Sequence, residues 1–203
     1  TGLGPERMGF SLAEPDLTRA GAIKGGGLFL GLSGPGLLPA ELVKTMAPNP
    51  IIFALANPTP EIMPEEARAA SPGAMIATGR SDFANQVNNV LCFPFIFRGA
   101  LDVAANDIND EMKLACVDAI ASLARATTSA EVGQAYQGEK LTFGPEYLIP
   151  KPFDPRLLPT IALAVAKAAI ESGAAQKIID LDAYARELEG QVFKSSLIMR
   201  QVF

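Results

Sequence analysis

Short, unbroken apolar runs, punctuated by glycine and proline, organise the first part of the chain. Gly27 to Leu32 is such a run, stopped by Ser33-Gly34-Pro35-Gly36. Ile51 to Ala56 is a second, ended by Asn57-Pro58, and Ala74 to Thr78 a third, closed by Gly79. Runs of this length bounded by turn residues predict buried strands. Between them, Pro39 to Met46 and Pro64 to Ala70 space their apolar residues as short helices, the second with glutamates in its first turn. Strand, helix, strand, helix, strand at this spacing predicts βαβ units in a parallel sheet. The strands are apolar throughout instead of alternating, so both sheet faces are expected to be buried. Three strands are too few for a whole doubly wound sheet, and the rest is expected to come from elsewhere.

The remainder reads as helical. Asn88 or Asn89 is expected to cap a helix running past Pro94 to Val103, with Pro94 kinking it or marking its real start. Asp107 to Ala124 has the spacing of an amphipathic helix. Asp154-Pro155 pairs a capping acceptor with a proline suited to the first helical position, predicting a helix to Ser172-Gly173. Its Leu-Ala-Val-Ala pattern is apolar nearly all round, hence core. Asp180 to Leu188 predicts a further helix, and Phe193 to Phe203 the start of another. The fold class that follows is α/β: the distal part of a Rossmann-like doubly wound parallel sheet followed by C-terminal helices.

Composition removes several kinds of chemistry. The 203 residues include no histidine, which excludes a Ser-His-Asp triad, a Cys-His pair and any His-ligated metal within them. Hydrophobic residues make up 49% and charged ones 19%, a globular balance. The net charge of −5 comes without a basic block, against nucleic acid or an anionic membrane as partner. No apolar run reaches the length of a membrane span and no leader pattern opens the chain, so a cytoplasmic protein is expected. Cys92 and Cys116 lie in apolar helical contexts and are expected to be reduced thiols. The opening Thr1-Gly2-Leu3-Gly4-Pro5 reads as the middle of something longer.

Three segments could carry chemistry. Ser33, Gly34, Pro35 and Gly36 follow a strand, where glycines let a cofactor approach the backbone; the alternative is a plain turn. Asn57 stands at a second strand end, its backbone restricted by Pro58, and its amide offers donors and an acceptor without charge. It could equally be a turn residue. Thr78 to Asn89 packs polar side chains between an apolar strand and an apolar helix. A helix opening at Asn88 or Asn89 would turn its free N–H groups toward a carboxylate, and capping is the plainer explanation. Asp102 follows Arg98 by four, which i,i+4 pairing explains. Lys151 and Arg156 are expected to be solvated. Gly25-Gly26-Gly27 precedes its strand and is on the wrong side for a dinucleotide loop.

These segments resemble the malic enzyme family. Gly31-Leu32-Ser33-Gly34-Pro35-Gly36, Ile52 to Glu61, Thr78 to Asp82, Asn85 to Val90 and Phe97 to Val103 carry the likeness, and Phe143 to Tyr147 with Ile149 to Arg156 continue it. It spans residues 23–190, an NAD(P)-binding domain with closing helices, after a loosely matched segment 1–22. Asn88 to Arg98 is similar to the bacterial hybrid type, and residues 191–203 resemble its connector to a phosphotransacetylase-like domain. The resemblance implies NADP-dependent oxidative decarboxylation of malate to pyruvate and carbon dioxide, with NAD possible in place of NADP, and Mg or Mn. It places Asn57 between nicotinamide and substrate, Asn88 and Asn89 on malate, and Ser33 to Gly36 on the cofactor. It also implies that the catalytic tyrosine and lysine, the metal-binding carboxylates and the glycine-rich dinucleotide loop lie upstream of Thr1, and that the enzyme is a homo-oligomer. A malolactic enzyme producing lactate, or a non-catalytic assembly piece, are the competing readings.

Overall fold

The computed structural model describes residues 18–127, 133 and 141–202. Two compact units divide the chain, one ending at Gly79 and the other starting at Arg80.

The first unit is a parallel sheet of three strands, β1 (Leu28–Gly31), β2 (Ile51–Ala54) and β3 (Met75–Thr78), in the order β1-β2-β3. Helix α1 (Arg19–Ile23) precedes the sheet, α2 (Ala40–Val43) joins β1 to β2, and α3 (Pro64–Ala70) joins β2 to β3. Phe29, Ile52 and Ile76 share one register row, as do Gly31, Ala54 and Thr78. That face is packed with Leu38, Val43, Met46, Ile62 and Ala67 into one core. Successive right-handed crossovers moving in one direction put their helices on one side of a sheet. The expectation that both faces are buried therefore fails at β1, where Leu28 is 60% and Leu30 57% exposed. An apolar strand needs two covering layers, and the described part of this unit supplies one.

The second unit is helical. A single 3₁₀ turn, Asn89–Leu91, precedes α4 (Phe93–Asp102), followed by α5 (Asp110–Arg125), α6 (Leu157–Glu171) and α7 (Leu181–Val202). Helix α6 is the centre, with Leu157, Ile161, Val165 and Ala169 wholly buried against α4 and α5. Gly99 makes the α4–α6 approach possible, because a Cβ there would lie 2.5 Å from the carbonyl oxygen of Ala162. The Asn109 carboxamide caps α5 by accepting from the Met112 N–H at 3.0 Å.

Several predicted boundaries shift for local reasons. The α-helix begins at Phe93, with Pro94 in its first turn, and not at Asn88 or Asn89. Asp154 accepts from the Arg156 N–H in a turn before α6, so that helix starts at Leu157. Asp180 caps α7 through the N–H groups of Asp182 and Ala183, and the helix passes Gly190 without a break, joining the two predicted helices into one. Arg156, expected to be solvated, grips the buried Asp154 at 2.7 Å and donates to the Thr127 carbonyl.

Candidate functional site

In the sheet unit, two of the three candidate segments leave the carboxyl ends of neighbouring parallel strands. Gly31 pairs with Ala54 in the last register row, and the Leu55 N–H donates to the Gly31 carbonyl just beyond it. Ser33 to Gly36 and Asn57 thus follow adjacent strand ends, the position at which open α/β sheets bind ligands. Gly36 takes φ +66, the left-handed backbone that favours glycine, and space for a Cβ there is empty. Ser33, Pro35 and Gly36 are exposed.

The turn is braced from one side. The Gly36 N–H donates to the Pro60 carbonyl at 3.4 Å and the Leu38 N–H to the Glu61 carbonyl at 3.0 Å. The Glu61 side chain completes the brace: Oε1 accepts from the Ser33 N–H at 2.9 Å, and Oε2 accepts from the Ala56 N–H at 3.1 Å. Pattern reading passed over Glu61. Its sequence signal is faint: a glutamate inside an otherwise uncharged stretch, with a glycine closing the first strand, β1.

With the Ser33 and Gly36 amides engaged, and no Lys or Arg within 31–38 or 55–62, this rim is ill suited to a phosphate. It has room for an uncharged ring or sugar lying against a backbone without side-chain bulk. Asn57 is exposed, joined to Pro58 by a cis peptide bond, and its carboxamide makes no hydrogen bond among the described residues. It is open to a ligand or to water.

The helical unit holds the third segment, whose amides differ in what they do. Asn85 is buried at φ +56, its amide donating to the Pro145 carbonyl and its oxygen accepting from the Leu148 N–H, both at 2.7 Å. That residue ties one loop to another. Asn88 spends its oxygen on the Val90 N–H at 3.0 Å, capping the 3₁₀ turn. Asn89 is exposed and its carboxamide has no partner among the described residues. Arg80 holds Asp82 through two hydrogen bonds, at 2.8 and 2.6 Å, and lies over the Phe83 ring. The guanidinium holds the Asp82 carboxyl below its ordinary range.

Elsewhere in this unit, Arg98 and Asp102 form the expected i,i+4 pair, to which the Tyr184 hydroxyl donates at 2.7 Å. Burial, then the bond to Asp102, raise the Tyr184 phenol. This group borders a shallow groove of about 330 Å³ lined by Lys177, Asp180 and Glu187, which includes none of the candidate residues. Cys92 and Cys116 are free thiols with sulfurs 3.3 Å apart. Among the described residues no three Cys, Asp or Glu side chains are grouped to hold a metal ion, and no helix is long and apolar enough to cross a membrane.

Residues 22–136 match the family model described as malic enzyme, NAD binding domain. The chain is 62% identical over 185 residues to an NAD-dependent malic enzyme of Rhizobium meliloti, covering 91% of this chain and 24% of that protein. It is 60% identical over 182 residues to an NADP-dependent malic enzyme of Escherichia coli, covering 89% and 24%. A solved malic enzyme from Pyrococcus horikoshii superposes with a TM-score of 0.73 at 34% identity, over 90% of this chain and 39% of that one. The chain thus spans about a quarter of the length of these curated relatives.

Proposed function

Since the chain belongs to the malic enzyme family, matching its NAD-binding domain, we propose that it is part of an enzyme that oxidatively decarboxylates malate to pyruvate and carbon dioxide. NADP is the acceptor in this reading, on the likeness of Asn88 to Arg98 to the hybrid type; similar proteins bear both NAD and NADP in their names. The same reading adds a phosphotransacetylase-like domain beyond residue 203, a homo-oligomer and a cytoplasmic setting.

One observation carries the assignment to this chain's own residues. An exposed, unspent carboxamide, Asn57, follows one strand end while a bare glycine turn follows the adjacent one. A bound dinucleotide would supply the acceptor for the hydride on the hydroxyl-bearing carbon of malate. The Ser33 to Gly36 turn receives the nicotinamide and its sugar without offering charge. Asn57 hydrogen-bonds the carboxamide of the ring or an oxygen of the substrate, holding the two in register. Asn88 and Asn89 each offer the amino end of the amide to malate carboxylates; the Asn88 oxygen is engaged in the cap, that of Asn89 is not. Uncharged donors suit this task, because they orient a dianion without the desolvation cost of a buried cation. Among the described residues no carboxylate cluster fits Mg or Mn, and the roles proposed for them are binding and orienting.

The test is kinetic. The full-length protein supplied with malate and NADP is expected to form NADPH and pyruvate in equal amounts; lactate without net NADPH would instead identify a malolactic reaction. Asn89→Ala is expected to weaken malate handling by about 1–3 kcal/mol in kcat/KM, from polar groups left unpaired. Unchanged kcat and KM for malate in that variant would refute the substrate role of Asn89.

A further inference from the structure

Glu61 is the one charged side chain in the described sheet unit that is wholly enclosed, at 1% exposure, and no basic group pairs with it. Nothing in its position serves the hydrophobic core, and a buried carboxylate is costly unless its oxygens are satisfied. Both are satisfied, each by a backbone N–H from a different loop. Oε1 holds Ser33, in the turn after β1, and Oε2 holds Ala56, the residue immediately before Asn57. The main chain of the same residue holds Leu38 at the far end of the turn.

The sheet makes room for this carboxylate. A Cβ on Gly31 would lie 2.4 Å from the Glu61 Cδ and 2.6 Å from Oε1, so the carboxylate lies where any other residue at the end of β1 would put its side chain. Gly31 and Ala54 are register partners, hence the carboxylate bridges the strand ends. Past the bond from the Leu55 N–H to the Gly31 carbonyl the ladder ends, and beside the Gly36–Pro60 and Leu38–Glu61 main-chain bonds it is the Glu61 carboxylate that ties Ser33 to Ala56.

We propose that Glu61 is a positioning residue for the reaction: one carboxylate, with an oxygen on each loop, sets the spacing between the Ser33 to Gly36 turn and Asn57, and so between nicotinamide and the group that orients it. This rests on the function proposed above for those two segments. Glu61 touches neither substrate nor cofactor in this account and acts through Asn57. Two acceptors are required, since each oxygen faces an N–H. Glutamine has the same shape, yet turns an NH₂ toward one of the two amides, donor against donor.

The experiment compares Glu61→Gln, Asn57→Ala and the double variant in the full-length protein, well below each variant's Tm. Glu61→Gln is expected to lower kcat at least tenfold and raise KM for NADP and malate about threefold. Asn57→Ala is expected to impair turnover as strongly, and the double variant to be no worse than Asn57→Ala alone, because Glu61 works through that side chain. If Asn57→Ala is impaired while Glu61→Gln lowers Tm but turns over like the parent protein, the positioning role is overturned and the site reading stands. If Asn57→Ala has no effect, the site reading itself fails and the positioning role with it. If the two losses multiply in the double variant, Glu61 acts by another route and the proposal is overturned. Gly31→Ala, which displaces the carboxylate while keeping its charge, is the second variant should Glu61→Gln not fold, and the same kinetic losses are expected. A fold that survives neither change would make the carboxylate structural and overturn the proposal.

Discussion

Replacing Gly31 by alanine adds one methyl group at a position whose neighbours cannot yield cheaply. The new Cβ would lie 2.4 Å from Cδ, 2.6 Å from Oε1 and 2.8 Å from Cγ of Glu61. Ordinary contact starts near 3.4 Å, so about 1 Å must be found. The carboxylate is enclosed and anchored by two amides, at 2.9 and 3.1 Å. If it stays, the strand end moves, at a typical overpacking cost of about 1–3 kcal/mol. If it leaves, hydrogen bonds to a charged acceptor are lost, each about 1.5–3 kcal/mol. The cheaper route sets the cost, so about 1–3 kcal/mol is expected, concentrated at the two loops. Hydrogen exchange at the Ser33 and Ala56 amides reads this directly, and roughly 30-fold faster exchange corresponds to about 2 kcal/mol, the middle of that range. Exchange within threefold of the parent protein would refute the reasoning. In a Glu61→Ala background the three atoms nearest to the new methyl group are gone, and the added cost of Gly31→Ala is expected to fall to about 0.5 kcal/mol or less.

Three further outcomes follow from the helical unit. Gly99→Ala places a Cβ 2.5 Å from the Ala162 carbonyl oxygen and 2.9 Å from the Val165 Cβ; a loss of about 1–3 kcal/mol in denaturant unfolding is expected, and an unchanged midpoint would contradict the close α4–α6 approach. Asp154→Asn strips the charge from the buried partner of Arg156 and should cost about 3 kcal/mol, visible as a lower Tm; a neutral effect would mean the pair is dispensable. Burial first, and the Cys92 sulfur second, push the Cys116 thiol up to about 12 from its ordinary 9.0. The folded chain therefore keeps a proton that the unfolded chain has released, so stability declines as pH climbs from 9 toward 12. Cys116→Ala is expected to flatten that decline, and an identical pH profile in the variant would refute the assignment.

The βαβ order was legible from apolar runs and turn residues alone, because a strand buried in a parallel sheet needs no partner to reveal its composition. Two helix starts were legible for the same local reason: Asp180, which caps α7, and Pro94, in the first turn of α4, act within three residues of themselves. Among the site residues, the turn at Ser33 and the amide at Asn57 stand at strand ends as their spacing suggested. Which amides are spent was not readable. Asn85 and Asn89 look alike in the chain, and only the folded loop shows Asn85 bound at both ends while Asn89 is open.

What the amino-acid order determined by itself is thus the list of elements, the absence of histidine chemistry and the segments rich in amides, all properties of near neighbours along the backbone. Tertiary structure decided which face of β1 is covered, that Arg156 is paired, and that Glu61 holds two loops at once. Those depend on groups 28 and 29 positions apart, Ser33 with Glu61 and Thr127 with Arg156, meeting in space, and the reason one carboxylate is tolerated inside the sheet unit is the pair of N–H donors that only the fold brings to it.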